Sequence, residues 1–128
     1  MKEALKIMIV DDSVFILERI INFIAEINEV KITGICRSAD EAFEYLSGEI
    51  PDLAIIDIRL KDSSGIDVLN HIKNKQLKTV TIMMTNYPSE QYKQACIDLG
   101  ADYFLEKSFE FFKIQDIILK MIAKKTLR

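Results

Sequence analysis

The sequence predicts a doubly wound parallel α/β fold built from five strand–helix units. One observation is a set of five short runs of branched apolar residues, and the other is a set of segments between and after them with apolar residues at helical spacing. Strands that alternate with helices pair in parallel through right-handed crossovers, and helices then cover both faces of the sheet. The chain of 128 residues is long enough for one such domain, which we expect to span 1–128.

The five predicted strands are continuous apolar runs, which is typical of strands that are buried on both faces. They are LKIMIV (5–10), VKITGIC (30–36), LAIIDI (53–58), TVTIMMT (79–85) and DYFL (102–105). Pro51 introduces the third run and marks its start.

The predicted helices begin at recognisable capping residues. Ser38 with Glu41 and Ser64 with Asp67 have the spacing of a capping box, and Pro88 lies near the start of the fourth helix. The apolar faces of the first and last helices comprise Leu17, Ile20, Ile21, Phe23, Ile24, Ile27, Ile114, Ile117, Ile118, Met121 and Ile122.

Composition excludes several classes of function. The net charge of -3 argues against general nucleic-acid binding, which requires a basic surface. No segment resembles a signal peptide or a membrane span, so we expect a cytoplasmic protein without a membrane partner. Cys36 and Cys96 form no CxxC pair and are expected in the core, and His71 has no partners for a triad or a metal cluster.

Polar residues stand at the ends of four of the apolar runs. Asp11 and Asp12 follow the first, Asp57 lies at the end of the third, Thr85 ends the fourth, and Lys107 follows the fifth. The carboxyl ends of parallel strands form one edge, where such folds bind ligands. Asp57 is the most unusual of the five, because burying an unpaired carboxylate costs several kcal/mol.

The chemistry of these side chains favours a site for phosphoryl transfer. Clustered carboxylates repel one another and require a cation, and oxygen ligands alone select a hard ion such as Mg²⁺. Lys107 and the Thr85 hydroxyl would supply donors to anionic oxygens. Each residue also has a simpler explanation: Asp12 as a helix cap, Thr85 as a strand former and Lys107 as a solvated charge. Five placements on one edge favour the functional interpretation.

The sequence resembles the receiver domain of two-component response regulators, in its single-domain, chemotaxis-receiver-like form. Four motifs carry the resemblance in the family's order and spacing, and together they extend it over essentially the whole chain. They are IVDDS (9–13), IIDIRLKDSSGIDVL (55–69), MMTNY (83–87) and GADYFLEKS (100–108).

The resemblance implies a flavodoxin-like fold with strand order 2-1-3-4-5. It also implies that Asp57 is the phosphoacceptor, receiving its phosphoryl group from a sensor histidine kinase or a phosphotransfer protein. Mg²⁺ would be held by Asp11, Asp12, Asp57 and the backbone carbonyl of Arg59. The domain would signal rather than turn over an external substrate.

The resemblance further implies how the signal is made and where it leaves. Thr85 and Lys107 would contact the phosphoryl oxygens, and Thr85 with Phe104 would form the switch. The output surface would be the face of the fourth helix, fifth strand and fifth helix, which would contact a downstream protein partner or a removed effector domain.

Departures from the family pattern lead to further expectations. Ser108 stands where the family usually has a proline in a cis peptide bond, so we expect a trans bond and a shifted loop. Asn86 and Tyr87 follow the threonine, and Tyr87 with Arg59 is expected to shield an acyl phosphate from water.

The segment SFEFFKI after Lys107 contains an aromatic stripe. We expect most of the stripe Phe109, Phe111 and Phe112 to be core for the last helix.

Three other functions fit parts of this pattern less well than the receiver does. A haloacid-dehalogenase-type phosphatase needs a second acid two residues after its nucleophile, where this chain has Arg59. A P-loop switch needs GxxxxGK after the first strand, and DDSVF stands there instead. A flavodoxin-like binding module would have hydroxyl residues in place of the carboxylates after that strand.

Overall fold

The computed structural model describes residues 3–87 and 89–126 as five strands alternating with five helices. The strands are β1 (Leu5–Val10), β2 (Val30–Cys36), β3 (Leu53–Asp57), β4 (Val80–Thr85) and β5 (Tyr103–Glu106), and the helices are α1 (Val14–Ile24), α2 (Ala39–Gly48), α3 (Gly65–Asn74), α4 (Glu90–Asp98) and α5 (Lys113–Thr126). All paired strands are parallel, in the order β2-β1-β3-β4-β5. The predicted fold class and strand order are confirmed.

The element bounds follow the predicted runs closely. β1 and β2 coincide with them, whereas β3 ends at Asp57, and Ile58 continues the edge by donating its N–H to the carbonyl of Met84 (2.9 Å). α1 ends at Ile24, so Ile27 of its predicted apolar face lies beyond the helix. The expectation for Pro88 lies outside the described residues.

Serine side chains cap the first four helices. The Ser38 hydroxyl accepts the N–H of Glu41 (3.1 Å), as predicted. Ser64 also caps its helix, but its hydroxyl accepts the N–H of Ile66 (3.1 Å) and not that of the predicted partner Asp67. The Glu41 carboxylate accepts from the N–H of Arg37 (3.2 Å), one residue before the cap. The caps fix where α2 and α3 start relative to the strand ends, and therefore where the loops around the site run.

Two apolar cores lie on opposite faces of the sheet because side chains alternate along each strand. Ile7 and Ile9 belong to the core that α1 and α5 cover, and Met8 and Val10 belong to the core of α2, α3 and α4. Cys36 and Cys96 are buried in that second core as free thiols, as expected. His71 is a half-buried residue of α3 that packs against the Phe43 ring.

The aromatic stripe after β5 is not mainly core, and that prediction is wrong for two of its three residues. Phe111 is buried and packs edge-on against Phe23, whereas Phe109 and Phe112 are 72% and 57% exposed. The segment consists of turns before α5 begins at Lys113, so no helical face gathers the rings on one side.

The peptide bond between Lys107 and Ser108 is trans, as expected for a bond in which the second residue is not proline.

Among the helices that the structure describes, none has the length and apolar character needed to cross a membrane.

Candidate functional site

Three strands deliver an ion-paired cluster to one edge of the sheet. Asp11 follows β1, Asp57 ends β3, and Lys107 follows β5. The Lys107 ammonium lies 2.8 Å from Asp11 Oδ2 and 3.1 Å from Asp57 Oδ2, and all three side chains are almost completely buried. The apolar strand therefore tolerates Asp57 because a buried lysine pairs with it.

Asp12 brings a third carboxylate to the cluster. One oxygen each of Asp11, Asp12 and Asp57 can be chosen so that all three lie within 4.8 Å of one another. Asp11 Oδ1 also accepts the N–H of Ser13 (2.9 Å), the residue that caps α1. The positive end of the α1 dipole thus points at the carboxylates.

The loop after Asp57 returns tightly over the end of its strand. The Arg59 N–H donates to Asp57 Oδ1 (3.3 Å), and the Gly65 N–H donates to the Ile58 carbonyl (2.8 Å). A Cβ atom at Gly65 would lie 2.0 Å from the backbone oxygen of Asp57, closer than any side chain allows. Glycine at this position lets the loop hold the Asp57 carboxylate in place.

Thr85 is buried at the end of β4, beside Lys107. Its backbone carbonyl accepts the Lys107 N–H (2.9 Å), and its hydroxyl accepts the Tyr87 N–H (2.9 Å). Phe104 lies opposite Met83 in β5, half-buried against the core of α2, α3 and α4. Thr85 and Phe104 therefore lie on neighbouring strands. Thr85 is at the edge of the sheet that carries the aspartates, and Phe104 lies two residues before the end of its strand.

Burial raises the pKa of the Asp57 carboxyl from its ordinary value of 3.8 to about 6. The Lys107 charge opposes this rise without cancelling it, and the Asp11 charge adds to it. Lys107 is the one ammonium that pairs with these carboxylates among the described residues, so the cluster has an excess of negative charge. A second cation would relieve that excess.

Without metal, the Asp57→Asn variant is expected to be more stable than the wild type at pH 7, by roughly 1 to 3 kcal/mol. Because the folded-state pKa is the higher one, the folded protein holds a proton between about pH 4 and pH 6 that the unfolded chain has released. Wild-type stability therefore falls as pH rises through this window, and asparagine avoids the loss. Urea unfolding in a chelator at several pH values measures the difference.

The difference in free energy of unfolding between Asp57→Asn and the wild type should shrink towards pH 4, since a neutral Asp57 resembles asparagine. Asp62→Asn, at an exposed position in the next loop, should show no such dependence. A gap that stays constant with pH would contradict the burial cost assigned to Asp57.

Sequence reasoning missed two residues that shape the site. The Arg37 guanidinium donates to the backbone carbonyl of Asp12 (3.1 Å). Arg37 directly follows β2, and this position at a strand end is the signal that could have identified it. Gly65 could not be singled out from the sequence, because its close approach to Asp57 depends on the path of the loop.

The fold and the site together define a class of protein: a doubly wound α/β domain with a buried, lysine-paired aspartate at a strand end beside two further aspartates. The sequence matches the family described as the response regulator receiver domain over residues 7–121. The chain belongs to this family, the receiver domains of two-component systems, which confirms the resemblance seen in the sequence.

Curated relatives carry this domain within longer proteins. The chain is 24% identical over 127 residues to a protein-glutamate methylesterase/protein-glutamine glutaminase of Bacillus subtilis (strain 168), an alignment that covers 93% of this chain and 35% of that protein. A protein of the same name from Clostridium acetobutylicum is 26% identical over 125 residues, with 94% and 36% covered. The chain thus spans about a third of the length of these relatives.

Solved receiver structures share the fold. A CheY-like response regulator receiver domain protein from Methanospirillum hungatei JF-1 has a TM-score of 0.84 at 23% identity, covering 97% of this chain and 98% of that one. The response regulator domain of Thermotoga maritima CheB has a TM-score of 0.75 at 23% identity, covering 98% and 96%. At these identities the likeness supports the fold alone.

Proposed function

We propose that Asp57 accepts a phosphoryl group and that the domain relays a signal in this form. The observation that carries the proposal is the buried Asp57 carboxylate, held at a strand end between the Lys107 ammonium and the Arg59 N–H. A carboxylate oxygen of Asp57 attacks phosphorus, the bond from phosphorus to the donor's leaving atom breaks, and an acyl phosphate forms.

The three aspartates suit Mg²⁺, which binds carboxylate oxygens and keeps part of its water shell. Asp11, Asp12, Asp57 and the backbone carbonyl of Arg59 would hold the ion, and each carboxylate oxygen already bonded to the protein retains a lone pair. When bound, the ion neutralises charge on the phosphoryl oxygens.

Lys107 and Thr85 serve as donors to the transferred group. The Lys107 ammonium already reaches Asp57, so it lies within reach of an oxygen attached to that carboxylate. Thr85 ends the neighbouring strand, and its hydroxyl proton is available to a phosphoryl oxygen while its oxygen accepts the Tyr87 N–H. Both donors are held before transfer, which favours charge stabilisation in the transition state.

The donor is a phosphorylated histidine of a sensor kinase or of a phosphotransfer protein, as the family membership suggests. The recipient of the signal is a downstream protein or an effector domain. The relatives support an attached effector domain, since this domain makes up about a third of their length. The domain's own chemistry is phosphorylation and dephosphorylation of Asp57, without turnover of a further substrate.

Incubation with acetyl phosphate and Mg²⁺ tests the proposal directly. Intact mass spectrometry should show one added phosphoryl group, which is lost again on standing or after hydroxylamine treatment. A phosphatase would instead hydrolyse its acyl phosphate too quickly for labelled protein to accumulate, and a flavodoxin-like binding module would remain unmodified. The absence of labelling would contradict the phosphoacceptor function.

Tyr87→Ala is expected to hasten loss of the phosphoryl group severalfold. The Arg59 guanidinium carbon lies 4.7 Å from the centre of the Tyr87 ring, and we propose that this pair restricts the approach of water to the acyl phosphate. Decay of the phosphorylated protein, followed by intact mass, measures the rate. Tyr87→Phe keeps the ring and should decay like the wild type, and an unchanged rate in Tyr87→Ala would count against shielding.

The signal is proposed to leave through the face of α4, β5 and α5. When a phosphoryl oxygen draws in the Thr85 hydroxyl together with the Tyr87 backbone that is bonded to it, space opens that Phe104 on the adjacent strand can enter, and an equilibrium between two packings shifts. Addition of beryllofluoride, a phosphoryl mimic, should change backbone amide chemical shifts across residues 86–112. Changes confined to the loops around Asp57 would exclude this face as the output surface.

A further inference from the structure

Two exposed side chains connect the loop after Asp57 to the loop after Thr85. The guanidinium carbon of Arg59 lies 4.7 Å from the centre of the Tyr87 ring, which is cation–π geometry. Tyr87 is 61% exposed, and Arg59 is exposed as well. Long exposed side chains lose rotamer freedom when they pair, and the contact joins two loops that are far apart in the sequence.

Each of these residues is bonded through its backbone to a group of the site. The Arg59 N–H donates to Asp57 Oδ1 (3.3 Å), and the Tyr87 N–H donates to the Thr85 hydroxyl (2.9 Å). The side-chain contact therefore closes a ring of four residues: Asp57, Arg59, Tyr87 and Thr85. The paired strands β3 and β4 complete this ring on the sheet side.

The bond from Tyr87 determines what the Thr85 hydroxyl can do. A hydroxyl has one proton and two lone pairs, and accepting the Tyr87 N–H uses a lone pair only. The proton stays available to an anionic oxygen. If the Tyr87 N–H moved away, the hydroxyl could rotate and its proton would have no set direction.

We propose that Arg59 and Tyr87 act as one positioning unit for the Thr85 hydroxyl. Their contact holds the Tyr87 N–H on the hydroxyl oxygen and so orients the hydroxyl before an anion arrives, which saves reorganisation at that moment. Both act through Thr85. The part of this inference that concerns the phosphoryl group rests on the proposed function, whereas the orientation of the hydroxyl does not.

The first experiment uses the free protein without Mg²⁺ or a phosphoryl mimic. Arg59→Gln removes the cation and should lower the hydrogen-exchange protection of the Tyr87 amide about two- to fivefold, the range of an exposed cation–π contact. It should also shift the Thr85 methyl resonance. Tyr87→Phe keeps the ring face and should match the wild type, as should Lys61→Gln, which removes an exposed cation nearby in the same loop. Unchanged protection in Arg59→Gln would overturn the proposal.

The second experiment is a double-mutant cycle on beryllofluoride affinity at saturating Mg²⁺. Arg59→Gln and Tyr87→Ala should each weaken beryllofluoride binding about two- to fivefold. The double variant should bind no more weakly than the single variant with the lower affinity. The cycle also separates the contact from the general attraction of Arg59 for an anion, because that attraction persists in the Tyr87→Ala background. If the fold-loss of affinity in the double variant equals the product of the two single losses, the residues act independently and the proposal is wrong.

Negative results in the two experiments contradict different proposals. A wild-type protein that does not bind beryllofluoride would contradict the phosphoacceptor function, and the exchange measurement would then decide the orientation of Thr85 by itself. Normal beryllofluoride binding with additive losses would leave the phosphoacceptor function intact and refute the positioning unit.

Discussion

Replacing Asp57 by asparagine is expected to abolish labelling by acetyl phosphate in the presence of Mg²⁺. The amide is isosteric with the carboxylate but is a poor nucleophile, so no acyl phosphate can form. The surrounding structure should persist, because Lys107 keeps its 2.8 Å ion pair with Asp11 and the strand keeps its shape. Intact mass spectrometry of the folded variant measures the result.

Asp62→Asn is the matched control, since it makes the same change at an exposed position of the following loop. It should be labelled like the wild type. Labelling of Asp57→Asn at a comparable level would place the phosphoacceptor elsewhere. The urea unfolding proposed above establishes in the same samples that the variant is folded.

Replacing Asp12 by alanine is expected to weaken Mg²⁺ binding by about tenfold or more, because a hard cation loses a charged oxygen ligand. Asp12 is the half-buried member of the cluster, whereas Asp11 and Asp57 are tied to Lys107. Its loss should therefore affect the metal more than the fold. A Mg²⁺ titration followed by amide chemical shifts around the cluster measures the affinity without any phosphoryl donor.

Asp98→Ala removes an aspartate from the end of α4, where its carboxylate accepts a hydrogen bond from Gln94 (2.7 Å). This variant should bind Mg²⁺ like the wild type, which separates loss of a ligand from loss of net negative charge. Unchanged affinity in Asp12→Ala would exclude the proposed ligand set.

The sequence by itself determined the elements, their order and the edge at which the polar residues meet. Continuous branched runs and helical spacing are local signals, and parallel strands joined by crossovers must end on one side. Asp11, Asp57 and Lys107 could therefore be assigned to one site before any contact was known. The caps at Ser38 and Ser64 could also be predicted, since a cap depends on residues only a few positions apart.

Only the tertiary structure decided which side chains pair and which face solvent. Lys107 lies between two aspartates from distant parts of the chain, and Gly65 is needed because its loop passes over Asp57. Phe111 is buried against α1, whereas Phe109 next to it in the stripe is exposed. Such choices depend on the path of loops and on contacts between segments far apart in sequence, and residue type and spacing do not encode them locally.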